Sequence, residues 1–271
     1  MEWLEQIPEG SRPAALEVGI LDGLIRSLLA QQRWGQALDL LQRRLRLSED
    51  PLSRIRHKAL LIRQPLLSDE HWLAMSGETG ACERLGTDAV PGLDGVWAAG
   101  PYYSRGAKRG SPWSSLVRAA KDPDAAADGW ARVGLLCGYA GRFLAERTPL
   151  LGLVDCVVAV PARPSRYVDR MMSLPDELGK ALMRYVALPY LPYGLVSTVD
   201  DLEMRKLSRA ERYTAVSGSL AAGRPNLIKG RAALVVDDVI TSGATLQEAA
   251  RQLRQVGALE VYGLALAHTE G

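Results

Sequence analysis

Two acidic residues stand side by side, Asp237 and Asp238, after the apolar run 232–236 and before Val-Ile-Thr-Ser-Gly-Ala-Thr at 239–245. Carboxylates at the end of a buried strand are costly to remove from water, so they are expected where they accept hydrogen bonds or attend a cation. An adjacent pair can receive two vicinal hydroxyls of a ribose. The turn that follows holds hydroxyls on Thr241, Ser242 and Thr245, a glycine at Gly243, and then opens a helix. Successive backbone N–H groups at a helix start, with a glycine that lets the chain come close, surround a phosphate. The combination suits a sugar with hydroxyls on one side and a terminal phosphate on the other. It matches neither G-x-x-x-x-G-K-[ST] nor G-x-G-x-x-G. The alternative is an acidic strand end followed by a Ser/Thr helix cap.

Such residues need a scaffold that joins a strand end, a turn and a helix start. Apolar strand 232–236, helix 244–256 and a last strand 259–267 provide one. Upstream, Val133, Leu136, Ala140, Phe143 and Leu144 make the apolar face of a helix over 130–146. The valine-rich run 154–161 stops at Pro161 and predicts a buried central strand. A further helix over 175–186 places Pro175 in its first turn, with Asp176 and Glu177 suited to the positive helix end. A short strand is expected near 194–198. Alternating helices and strands predict an α/β fold with a mostly parallel central sheet flanked by helices. GVWAAGPYY, 95–103, has strand composition and leads through the basic loop RGAKRGSPWS to a short helix over 114–121. The segment 199–218 is strongly charged, offers few core candidates before Tyr213, and is expected to be a mobile excursion.

ALVVDDVITSGAT, 233–245, resembles the phosphoribosyl pyrophosphate (PRPP) signature of type I phosphoribosyltransferases. The resemblance implies that Asp237 and Asp238 bind the ribose hydroxyls, while Thr241, Ser242, Gly243, Ala244 and Thr245 hold the 5′-phosphate. AVPARPSRYVDR, 159–170, is similar to the VPVP…R…RG segment of ComF-type phosphoribosyltransferases. There the loop faces pyrophosphate, which assigns that task to Ala162, Arg163, Ser165 and Arg166; a surface loop with incidental arginines is the alternative. Arginines suit it chemically, since they bind a diphosphate through several charge-assisted hydrogen bonds. Lys121 falls at the family's lysine and joins this group. MRKLSRAERYTAVSGSL, 204–220, falls where ComF proteins carry R-x-x-Q…R-x-x-N…F. In type I enzymes that segment closes over the site and excludes water. Arg205 and Lys206, together with Arg209 and Arg212, would supply the closing positive charge, so Arg205 and Lys206 join the two aspartates as catalytic candidates. The pattern departs in three places: the glutamine is missing, Ala215 stands where asparagine falls, and Leu220 where phenylalanine does. The cysteine-rich zinc ribbon that often precedes ComF domains is also missing.

The reaction implied by the resemblance is displacement of pyrophosphate from carbon 1 of PRPP by a nitrogenous base or amine, with Mg2+ entering with PRPP. The parts facing the acceptor, from 95–121 and 189–220, do not disclose it. A reading of a different class is a PRPP or nucleotide sensor assisting DNA uptake.

Composition narrows the remaining possibilities. With 271 residues, 47% apolar and 24% charged, the chain can bury a sizeable core, which excludes disordered and collagen-like classes. Cys82, Cys137 and Cys156 form no C-x-x-C pair, so a disulfide framework and a zinc ribbon lack support and a cytoplasmic setting is expected. No run approaches about 18 apolar residues, and the acidic start lacks the character of a secretory signal, so no membrane partner is expected. His57, His71 and His268 are expected to be structural or exposed, and no Cys–His or Ser–His nucleophile has a recognisable spacing. The net charge of +2 favours no polyanion, but residues 12–63 hold ten Arg/Lys against five Asp/Glu, which leaves a nucleic-acid or protein partner open there. Leucines at helical spacing over 14–47 predict two amphipathic helices broken near 32–35, with a third over 52–62. The expected organisation is a helical region 1–75, a connector 76–94 and a phosphoribosyltransferase-like domain 95–271.

Overall fold

Five consecutive residues without a polar side chain, 232–236, need protein on both faces. The computed structural model, which describes residues 14–30, 34–47, 84–86, 90–104, 106, 110–125, 128–164, 167, 172–200 and 209–269, places them in the middle of a parallel sheet. The chain divides into two units, Met1–Pro65 and Leu66–Gly271.

In the first unit, α1 (Ala14–Ala30) and α2 (Trp34–Leu47) are the two helices expected from the leucine spacing. Leu21 and Ile25 of α1 and Ala37 and Leu41 of α2 are buried. Arg43 reaches Glu17 at 2.5 Å and Arg44 reaches Asp22 at 3.0 Å, so two arginines of the basic stretch are already paired with carboxylates. The third helix expected over 52–62 lies outside the described residues.

The second unit continues with β1 (Gly95–Ala98), β2 (Pro101–Tyr102), α3 (Pro112–Lys121), α4 (Gly129–Arg147), β3 (Cys156–Ala159), α5 (Leu174–Val186) and β4 (Leu195–Ser197). It ends with α6 (Arg209–Val216), β5 (Leu220–Ala222), α7 (Pro225–Ile228), β6 (Ala232–Ile240), α8 (Ala244–Gln255) and β7 (Glu260–Thr269). The sheet runs β1-β7-β6-β3, all parallel, with β2 beside β7. Tyr190 bridges to Val157 on the other edge of β3, and β4 pairs antiparallel with β5. Val158, Val235, Val261 and Ala265 from the strands, with Leu246, Ala249 and Leu253 from α8, belong to one buried cluster.

Three expectations are corrected. The single strand expected over 95–103 is two short strands, because Gly100 lies against the indole of Trp113, where a Cβ would come within 2.5 Å of Cδ1. The excursion over 199–218 is helical at its end: α6 buries Val216, and its Tyr213 hydroxyl reaches the turn that follows β6. The strand expected to stop at residue 236 runs on to Ile240, since Val239 and Ile240 are themselves buried and keep pairing with β7. Cys137 and Cys156 are free and buried, and burial pushes both thiols above their ordinary range. Among the described residues no helix is long and apolar enough to cross a membrane.

Candidate functional site

The extension of β6 carries the acidic pair inside the sheet ladder, with Asp237 opposite Ala265. Each carboxylate accepts a hydrogen bond from the next backbone N–H: Asp238 N donates to Asp237 Oδ1 at 2.7 Å, and Val239 N to Asp238 Oδ1 at 2.5 Å. These local bonds fix both side chains without using up their outer oxygens. Lys121, at the end of α3, places its Nζ 2.9 Å from Asp238 Oδ2 and 5.6 Å from the Tyr102 ring centroid. The protonation of Asp237 is pushed well above the ordinary carboxylate range, by burial first and by the charge of Asp238 second; the N–H of Asp238 and Lys121 oppose this without cancelling it.

Both aspartates line a cavity of about 230 Å³, together with Lys121, Ala162, Arg163 and Thr245. Six of the residues singled out from the sequence are thus brought to one place. The remaining wall comes from Val160 and Pro161 and from the start of α5, including Ser173 and Pro175.

The turn between β6 and α8 has the geometry its glycine suggests. Gly243 holds a φ of 81°, and a Cβ there would meet Val90 Cγ2 at 2.6 Å, so both backbone conformation and packing require glycine. Ala244 begins α8, a helix of 12 residues whose positive end faces this turn. Ser242 is buried, and its hydroxyl lies 3.4 Å from the N–H of Ala244, whereas Thr241 is exposed. The Ser242 oxygen thus accepts from the chain itself and keeps its O–H to donate. Ser165, Arg166, Arg205 and Lys206 lie outside the described residues, as does the side chain of Arg212.

Three contributors were not singled out from the sequence. Tyr213 donates its hydroxyl to the Ser242 carbonyl at 2.5 Å, which ties α6 to the turn. Val90 fills the space beside Gly243. Ser173 caps α5 with its backbone carbonyl, which accepts from Glu177 N at 3.0 Å, but its hydroxyl is buried and has no hydrogen-bond partner among the described residues. The Ser-Leu-Pro-Asp order at 173–176 signals a helix start and conceals that hydroxyl.

No group of three or more His, Cys, Asp or Glu among the described residues could hold a metal ion alone. The two carboxylates on the cavity wall are hard oxygen donors and fit a hard cation that brings most of its oxygen ligands with it.

The family model described as the phosphoribosyl transferase domain matches residues 185–268, from the end of α5 to β7. Competence protein F of Haemophilus influenzae is 34% identical over 127 residues, which cover 45% of this chain and 55% of that protein. The DNA utilization protein YhgH of Escherichia coli is 30% identical over 125 residues, covering 46% of this chain and 54% of its own. The chain therefore spans about half the length of the curated relatives it matches. Among solved structures, the allosteric regulatory enzyme of purine biosynthesis shares 23% identity at a TM-score of 0.34, over 48% of this chain and 25% of that one. Glutamine PRPP amidotransferase from B. subtilis, complexed with ADP and GMP, shares 24% at 0.36, over 51% and 27%. The acid pair, the glycine turn and the central strands β6 and β7 all fall in the matched part, so the candidate site lies where the second unit is similar to the phosphoribosyl transferase domain.

Proposed function

We propose that the second unit binds PRPP with Mg2+ and transfers its phosphoribosyl group to a nitrogen acceptor. The convergence of Asp237, Asp238, Lys121, Arg163 and Thr245 on one cavity beside a helix N-terminus carries this reading. Asp237 and Asp238 accept the two ribose hydroxyls. Backbone N–H groups of the 241–245 turn, with Thr245 and the positive end of α8, receive the 5′-phosphate. Arg163, which lines the same cavity, takes the diphosphate, and Lys121 balances the carboxylates while it stays within reach of the ligand. Asp237 and Asp238 would help to hold Mg2+, which would supply neutralisation of the charge that grows on the leaving group.

The nitrogen lone pair forms the bond to carbon 1, and the electrons of the breaking C–O bond leave with pyrophosphate. Positive charge develops on the ribose ring in between. The protein contributes by holding the sugar at its diol and its phosphate while carboxylates face the ring, which is positioning and electrostatics rather than covalent chemistry. Arg205 and Lys206 belong to this proposal as closing charges.

A pyrophosphate-release assay with PRPP, Mg2+ and a panel of purines, pyrimidines and small amines tests the proposal. Release with one acceptor, abolished by Asp237→Asn with Asp238→Asn, supports transfer. PRPP binding with no release from any acceptor supports the second reading, a PRPP-sensing accessory protein. That reading is favoured by the names of the relatives, which refer to competence and DNA utilization, and by the basic stretch in the first unit.

A further inference from the structure

The peptide that joins Ser242 to Gly243 is gripped at one end. Tyr213, half-buried on α6, donates its hydroxyl to the Ser242 carbonyl at 2.5 Å. In a trans peptide the carbonyl and the following N–H point in opposite directions, and no described peptide bond is cis. The Gly243 N–H therefore points away from the Tyr213 hydroxyl, and it has no hydrogen-bond partner among the described residues. Gly243 is buried, and a backbone donor in such a place is normally satisfied by protein, water or a ligand.

Tyr213 does not line the cavity of the acid pair. With Ser217 of α6 it lines a separate cavity against Ala244, Gln247 and Glu248 of α8, and the two cavities share no residue. Ala244 borders this second cavity and Thr245 the first, so the start of α8 is a wall between them. Other contacts fix where the hydroxyl sits. Val216 of α6 is buried, and Gly218 N, just beyond the helix, donates to Glu248 Oε1 at 3.0 Å. Glu248 is held in turn by Arg251 at 2.7 Å and Gln252 at 2.9 Å. The end of α6 is thus fastened to α8 both at the turn and one helical turn further on.

We infer that Tyr213 is a positioning residue for anion capture, whose hydroxyl orients and polarises the 242–243 peptide so that the Gly243 N–H meets the 5′-phosphate. This role rests on the PRPP reading of the turn. Glycine leaves its peptide free to turn over, and the Tyr213 hydroxyl selects one orientation. A hydrogen bond accepted by the carbonyl also strengthens the N–H at the other end of the same peptide. A donor aimed beforehand needs no reorganisation when the anion arrives.

The test is calorimetric titration of the full chain with ribose 5-phosphate, and with PRPP and Mg2+, beside Tyr213→Phe, which keeps the ring and removes the donor. The variant should melt no more than about 4 °C below the parent, the effect of one lost hydrogen bond. It should bind both ligands about tenfold more weakly. Nuclear magnetic resonance with isotope-labelled glycine should show ribose 5-phosphate at saturation shifting the Gly243 amide proton in the parent, and shifting it less in the variant. Amide-exchange protection along β6 and the body of α8 should agree in the two chains within about twofold. Equal affinity in variant and parent, or a Gly243 amide that does not respond to ligand in the parent, overturns the inference and leaves the PRPP reading standing. A variant that fails to fold, or that loses protection throughout β6 and α8, also overturns it, because the hydroxyl then supports the fold rather than aims a donor. A parent chain that binds neither ligand removes the PRPP reading and this role with it.

Discussion

Under the proposed function, Asp237 meets two demands that conflict, since a ribose diol would need a carboxylate where the fold would rather have a neutral group. Burial and the adjacent Asp238 raise its protonation range in the folded chain above that of an unfolded aspartate, ordinarily about 4. The folded state then binds the proton more tightly, so the favourable contribution is present at low pH and is lost as pH rises through the raised value. Asp237→Asn should accordingly melt higher than the parent at pH 8, by about 3 °C if the relief is about 1 kcal/mol, with the gap closing toward pH 4. Calorimetric melting across that range checks it, and a variant that melts lower at pH 8 contradicts the sign. Gly243→Ala should destabilise by about 1–3 kcal/mol in urea denaturation, since the φ of 81° and the 2.6 Å approach to Val90 both resist a side chain. At this scale the acid pair and the glycine were legible, because their residue types admit few other uses. The hydroxyl of Ser173 was not, because serine before a helix has an ordinary explanation that only coordinates can remove.

Elements carry the site through contacts distant in sequence. Trp113 anchors α3 by donating Nε1 to the Leu266 carbonyl at 3.0 Å and by packing edge-on to Tyr139 with centroids 5.9 Å apart. That anchor sets where Lys121 ends. Trp113→Ala should cost about 3–5 kcal/mol in urea denaturation and, through Lys121, weaken PRPP binding as well. On the other side, Glu248 of α8 accepts from Gly218 N at 3.0 Å, Gln252 at 2.9 Å and Arg251 at 2.7 Å. Burial would raise its protonation range, but these hydrogen bonds outweigh it and hold the carboxyl below its ordinary value. A depressed acid stabilises above its unfolded range and loses that contribution as pH falls through the folded value. Glu248→Gln should therefore flatten the acid limb of the stability profile, and Glu248→Ala should cost about 1–3 kcal/mol at pH 7. The main helices and strands were legible from apolar spacing, since each has one face to bury. The split of 95–103 and the helix α6 were not, because they depend on Trp113 meeting Gly100 and on Tyr213 reaching Ser242.

At the scale of the whole molecule, the chain joins a helical unit, Met1–Pro65, to a unit that holds every residue of the candidate site. The alternation of strands and helices made the α/β class of the second unit readable. Whether the basic stretch of the first unit is free for a partner was not readable, because two of its arginines are paired with carboxylates of the same unit and charge counting cannot show that. If the second unit is self-sufficient for its ligand, removing residues 1–65 should leave PRPP affinity within about twofold. The most direct test is calorimetric titration of the intact chain with PRPP and Mg2+, beside the Asp237→Asn, Asp238→Asn chain matched for circular dichroism. The account predicts one PRPP per chain and a loss of at least about tenfold, or 1.4 kcal/mol, in the double variant. Equal affinity in the two, or no PRPP binding by the intact chain, would contradict it.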